Sequence, residues 1–138
     1  MTFNNEVTVL GDGKAPTVNI LGDKLNKKDE IINSLNAFKL IEPLSQSYDT
    51  LINSLNKTEA KGQTALGPAL LSSIEVASKG SPGSSVVLCT DGLANIGVGS
   101  LDPFEEANSV FYHDLAKLAK ERNIIINLIT IKGESAKM

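Results

Sequence analysis

Few side chains in this 138-residue sequence stand where chemistry could be done. Asp91 closes the run Ser84-Ser85-Val86-Val87-Leu88-Cys89-Thr90-Asp91-Gly92. The spacing puts its carboxylate at the end of a buried strand, where it can meet a cation or a partner. An Asp before Gly also caps turns for purely structural reasons. Thr64, in Gly62-Gln63-Thr64-Ala65-Leu66-Gly67, precedes an apolar-periodic stretch, where a hydroxyl serves as a helix N-cap. Cys89 is the one cysteine and lies inside an apolar run, which predicts a buried, inert thiol. His113 is the one histidine and reads as a surface residue on a helix. No Ser/His/Asp order or pair of carboxylates supports acid–base or nucleophilic catalysis. Asn26-Lys27-Lys28-Asp29 and Ser135-Ala136-Lys137 match the guanine-reading motifs of GTPases. No Gly-x-x-x-x-Gly-Lys-Ser/Thr loop accompanies them, and Gly11-Asp12-Gly13-Lys14 has the wrong spacing, so both matches read as accidental.

The elements that must position these residues follow from hydrophobic period. Residues 84–92 form an unbroken apolar run of the kind that suits a strand covered on both faces. Residues 124–131 form a second such run. Between them, Asp102-Pro103-Phe104-Glu105 is a strong helix start, and the helix carries Val110, Phe111, Leu115, Leu118 and Ala119. Gly62 to Gly80 contains a helix with Leu66, Leu70, Ile74 and Ala77 as its expected buried line. Upstream, Lys28–Phe38 places Ile31, Leu35 and Phe38 on one helical face, and Tyr48–Asn56 does the same with Tyr48, Leu51, Ile52 and Leu55. The two share Asp-x-x-Ile-Asn-Ser-Leu-Asn, and two copies are too few for a solenoid. Thr2 to Gly11 reads as a hairpin turning at Asn4-Asn5, with Thr17–Leu21 a further extended piece.

Composition narrows the possibilities. The chain is 41% hydrophobic and 21% charged, with a formal net charge of -3. Such a balance offers no basic field for nucleic acid, and 4% aromatic content without Trp gives no base-stacking surface. No apolar run reaches the roughly 20 residues of a membrane span. A single Cys and no signal-peptide pattern fit an intracellular, cytoplasmic setting.

Taken together, Gly62-x-Thr64-x-x-Gly67-x-Ala69-Leu70 and Val86-Val87-Leu88-Cys89-Thr90-Asp91-Gly92-x-x-Asn95 resemble the von Willebrand factor A-type domain. The opening hairpin resembles that family's second and third strands. Within the family the chain is most similar to the intracellular type near the Sec23-like proteins and the circularly permuted Ras proteins. The resemblance implies an α/β fold, a Rossmann-like three-layer sandwich. Its sheet would be mostly parallel with an antiparallel hairpin at the start, and the family's first and last strands would be missing. Residues 1–138 would form a single partial domain. It also implies a metal-ion-dependent adhesion site with Thr64 as second-loop and Asp91 as third-loop ligand of Mg2+ or Mn2+. The family's Asp-x-Ser-x-Ser loop is absent, so that site would be degenerate or incomplete.

The expected function is therefore a non-enzymatic protein-binding module recognising a protein partner at the rim formed by Thr64, Asp91 and residues 93–99. A first alternative is a structural piece without metal, associating with another chain or with itself through exposed sheet edges. A second is a nucleotide-binding protein.

Overall fold

A computed structural model describes residues 1–40, 42–59, 62–101 and 107–131. Three short strands open the chain: β1 (Thr2–Phe3), β2 (Glu6–Val9) and β3 (Val18–Leu21), paired antiparallel in that order. The hairpin turns at Asn4-Asn5, where the Glu6 N–H donates to Asn4 Oδ1 at 3.1 Å. Val7 and Val9 point into the core while Thr8 does not, the alternation of a half-covered sheet. Val7 faces Ile20 across the ladder, and both are fully buried. The loop after β2 is tied by the buried Asp12. Its Oδ1 accepts the N–H groups of Lys14 and Ala15 at 3.0 and 2.9 Å, and its Oδ2 accepts that of Glu42 at 2.6 Å.

A short 3-10 turn (Gly22–Asn26) leads into α1 (Lys28–Leu35), which buries Ile31 and Leu35 as its period predicts. Phe38 is buried too, just beyond the helix end. The second helix, α2 (Leu44–Asn56), departs from expectation. Tyr48 and Leu55 remain 56% and 59% exposed, and the residue that α2 buries is Ser47. α2 rests on the loop after β2 through its small polar side, with Thr50 against Gly13, so its apolar side is left to solvent.

The third helix, α3 (Leu66–Ala77), buries Gly67, Pro68, Ala69, Leu71, Ser72, Ile74 and Glu75. Of the expected line, Ile74 is buried while Leu66, Leu70 and Ala77 are half-buried. α3 is packed by α1, α4, β1 and β4 at once, so several sides of it are covered. Next come β4 (Ser85–Thr90), α4 (Ala107–Glu121) and β5 (Ile125–Thr130). β4 and β5 pair in parallel, from Ser85↔Ile125 to Thr90↔Thr130. α4 places Phe111, Leu115 and Ala119 in the core. The expected helix start at Asp102-Pro103 lies outside the described residues.

The fold is thus α/β, with four α-helices, a parallel pair and an antiparallel hairpin among the described residues. Two sequence expectations are corrected. The strands do not form one mostly parallel sheet: among the described residues three are antiparallel and two are parallel, in separate sheets. Nor is β4 covered on both faces. Val86 is 7% exposed but its neighbour Val87 is 61% exposed, because α3 packs on β4, α4 on β5, and the two helices touch each other over one face. The buried residues of both sheets and the helices belong to one core cluster.

Candidate functional site

The carboxyl end of β4 is where the candidate residues meet. After Thr90 the chain turns sharply: Thr90 Oγ1 accepts the Gly92 N–H at 3.3 Å and donates to the Gly92 carbonyl at 3.1 Å. Gly92 passes close to Thr64, so that a Cβ on Gly92 would stand 3.0 Å from Thr64 Oγ1. The two candidate ligands, Thr64 and Asp91, therefore lie at the same lip of the molecule.

The lip is held by backbone contacts from three directions. The Thr64 N–H donates to Asn95 Oδ1 at 2.7 Å, and the Asn95 N–H donates back to the Thr64 carbonyl at 3.1 Å. The Ala65 N–H donates to the Asn4 carbonyl at 3.0 Å, and the Gln63 N–H to Asn5 Oδ1 at 2.6 Å. The hairpin tip, the segment before α3 and the loop after β4 are thereby joined. That loop is pinned again further on. The Val98 N–H donates to the Leu25 carbonyl at 2.8 Å, and the half-buried Tyr112 donates its hydroxyl to the Gly99 carbonyl at 2.8 Å. Gly67 lies against the Val98 carbonyl so closely that no side chain fits between them. Burial pushes the Tyr112 phenol above its ordinary value.

Thr64 does not cap α3. The N-cap position is Ala65, and among the described residues no side chain caps the helix. Pro68 contributes no N–H, so Leu66 and Gly67 carry the first backbone donors of the helix, beside the lip. Asp91 is exposed. Among the described residues no group of three or more His, Cys, Asp or Glu side chains gathers to hold a metal ion. One hydroxyl and one carboxylate make a poor site for a bare cation. The same pair suits a Mg2+ that brings other oxygens with it, since Mg2+ is commonly held by one or two carboxylates plus substrate phosphates.

Other expectations are settled by placement. Cys89 is exposed, because it points from the uncovered face of β4; the buried thiol read from the apolar run is corrected. His113 is exposed on α4, as its position predicts. Asn26-Lys27-Lys28-Asp29 spans the end of the 3-10 turn that follows β3 and the start of α1. Lys27 Nζ bonds Glu30 at 2.8 Å, and that hydrogen bond, with the charge of Glu30, holds the ammonium pKa above its ordinary value. Lys28 Nζ sits 5.0 Å over the Phe111 ring. The motif nonetheless borders the lip: the Leu25 carbonyl that receives Val98 directly precedes Asn26. Ser135-Ala136-Lys137 lies outside the described residues.

What sequence reading missed is the fastening. Asn5 and Asn95 hold the lip through side-chain oxygens 58 and 31 residues distant from their partners. Asn, Gly and Thr clustered at loop positions were the available signal, but pairing at such separation has no local signature.

The chain is 38% identical over 141 residues to "Circularly permutated Ras protein 1" of Dictyostelium discoideum, a match covering 96% of this chain. The chain spans 16% of that relative's length. No protein-family model matches the chain. No solved structure matches it. The similarity bears out the circularly permuted Ras side of the expected resemblance; the von Willebrand side gains no support. It also overturns the expected non-enzymatic adhesion-type module with its metal-ion-dependent adhesion site, because the relative is by name a Ras protein. The expectation that the chain is not an enzyme falls with it. Among the described residues no helix is long and apolar enough to cross a membrane.

Proposed function

We propose that this chain is a section of a Ras-type, intracellular nucleotide-binding protein, contributing to Mg2+-nucleotide binding and GTP hydrolysis at the lip where Thr64 and Asp91 lie. The observation that carries the reading is the 38% identity to a circularly permutated Ras protein across 96% of the chain. Ras-type GTPases hold guanine nucleotide with Mg2+ bridging its phosphates and bind protein effectors.

Four features support the lip as the place. Ligands of open α/β sheets gather outside the carboxyl ends of parallel strands, and Asp91 follows such an end in the parallel pair of β4 and β5. Thr64 and Asp91 supply two hard oxygens, the number Mg2+ takes when phosphates complete its shell. The uncapped start of α3 presents N–H groups and a positive dipole end, which favour an anion. Asn26-Lys27-Lys28-Asp29, a guanine-reading pattern, borders the same loop through Leu25. Bound Mg2+ would supply electrostatic stabilisation of the phosphates; Thr64 and Asp91 would hold and orient it.

A second reading is favoured by the absence of a Gly-x-x-x-x-Gly-Lys-Ser/Thr loop from the 138 residues. In that case another part of the Ras-type protein cradles the phosphates and this section accompanies it. Titration calorimetry of the chain with GDP and Mg2+ separates the two. Saturable heat that vanishes in EDTA supports the first reading. A flat trace with Mg2+ present rejects it and leaves the second.

A further inference from the structure

Two strand edges face one cleft. β1 pairs with β2 and β4 pairs with β5, and among the described residues neither β1 nor β4 has a partner on its other side. Between them lies a cavity of about 260 Å³ lined by Met1, Phe3, Ser73, Val87, Leu88 and Cys89. A neighbouring cavity of about 420 Å³ shares Met1, Ser73 and Val87 and extends over Val76 and Ala77 of α3.

The direction of the unpaired backbone groups can be worked out. The Ile125 N–H donates to the Ser84 carbonyl at 3.1 Å, and the Ile131 N–H to the Thr90 carbonyl at 2.9 Å. Both main-chain groups of one strand residue point to the same side, and successive residues alternate. Ser84, Val86, Leu88 and Thr90 therefore address β5, while Ser85, Val87 and Cys89 present their N–H and C=O groups to the cleft. On the other wall, the Asn4 N–H donates to the Glu6 carbonyl at 2.9 Å, so Asn4 addresses β2 and Phe3 presents its groups outward. The residues with outward backbone, Phe3, Val87 and Cys89, are among those that line the cavity.

The geometry points to a strand-accepting cleft: an extended, apolar peptide segment from outside these 138 residues docks between β1 and β4, pairs with the outward groups of Val87 and Cys89 and of Phe3, and joins the two sheets into one. The chemistry specifies the occupant. Two walls of free amides and carbonyls recognise polypeptide backbone and little else, which is the logic of strand addition. Neither cavity is lined by a charged side chain, the one charge nearby being the terminal ammonium of Met1, whose pKa burial lowers, and the small Ser73 lines both, so the inward side chains are apolar. Polypeptide beyond the matched stretch makes up most of the relative's length, of which this chain spans 16%. The inference is independent of the nucleotide reading, since the cleft and the Thr64–Asp91 lip share no residue.

The test uses the chain as it is and one synthetic probe, an acetylated peptide of alternating Val and Thr flanked by Lys. Residue-resolved amide exchange is read with and without it. Exchange at Val87 and Cys89 should slow at least tenfold, while a peptide with alternate amides N-methylated should leave it unchanged. Val87→Pro removes one cleft-facing N–H without touching the β4–β5 ladder and should weaken binding at least tenfold. If that variant fails to fold, the N-methylated peptide still decides. Unchanged exchange with the plain peptide overturns the proposal. Equal slowing by the N-methylated peptide also overturns it, because apolar adhesion would then suffice. Slowing that grows with protein concentration alone overturns it in favour of self-pairing.

Discussion

Thr64 and Asn95 hold each other by two hydrogen bonds, one from each backbone N–H, at 2.7 Å to the Asn95 side chain and 3.1 Å to the Thr64 carbonyl. This clamp fixes the segment before α3 to the loop after β4, and the lip has its shape because of it. Asn95→Ala removes the acceptor and leaves the Thr64 N–H to water. It should cost about 1 kcal/mol in urea denaturation. Asn95→Asp keeps the accepting oxygen and should recover most of that loss.

Ser72 makes the opposite prediction. Its side chain is fully buried in α3 and its hydroxyl has no hydrogen-bond partner among the described residues. An unsatisfied buried hydroxyl costs about 1–3 kcal/mol of desolvation without return. Ser72→Ala should therefore raise the urea midpoint, by an increment worth about 1 kcal/mol. A lowered midpoint would show that the hydroxyl is satisfied through a buried water.

These two cases mark what could be read in the sequence. Val86 and Leu88 in β4, and Phe111, Leu115 and Ala119 in α4, follow from local period, and the structure buries them as such. The uncovered side of β4 does not follow. An apolar run such as Val86–Leu88 looks the same whether one face or two are covered, and only the shared placement of α3 and α4 decides. Tyr48, Ile52 and Leu55 are spaced like core residues, but α2 meets the body through Ser47 and Thr50. Thr64 and Asp91 could be picked out by type and position. The clamp from Asn95, the tie from Asn5 and the empty cap of α3 depend on long-range packing that no local pattern encodes.

Tyr112 gives a prediction in pH. Burial raises its phenol above the ordinary value of 10.0, because the charged form is disfavoured there. The folded state thus holds this proton more tightly than the unfolded chain does. The associated stability is complete below pH 10 and is lost as pH rises through the folded value. Tyr112→Phe removes that dependence, together with the hydrogen bond to the Gly99 carbonyl. The variant should be about 1 kcal/mol less stable at neutral pH and should decline less steeply than wild type above pH 10. Denaturation midpoints between about pH 7 and pH 12 provide the comparison.

The central claim is that the lip takes a Mg2+-bound nucleotide, and its most direct measurement is titration of a fluorescent GDP analogue into wild type, Asp91→Ala and Thr64→Val, each with Mg2+ and with EDTA. Both positions lie at the surface end of β4 and α3, so the variants should melt with wild type. Wild type should bind only with Mg2+, Asp91→Ala should bind at least tenfold more weakly, and Thr64→Val should fall between them. Absence of binding by wild type in Mg2+, or equal binding by Asp91→Ala, would contradict the account.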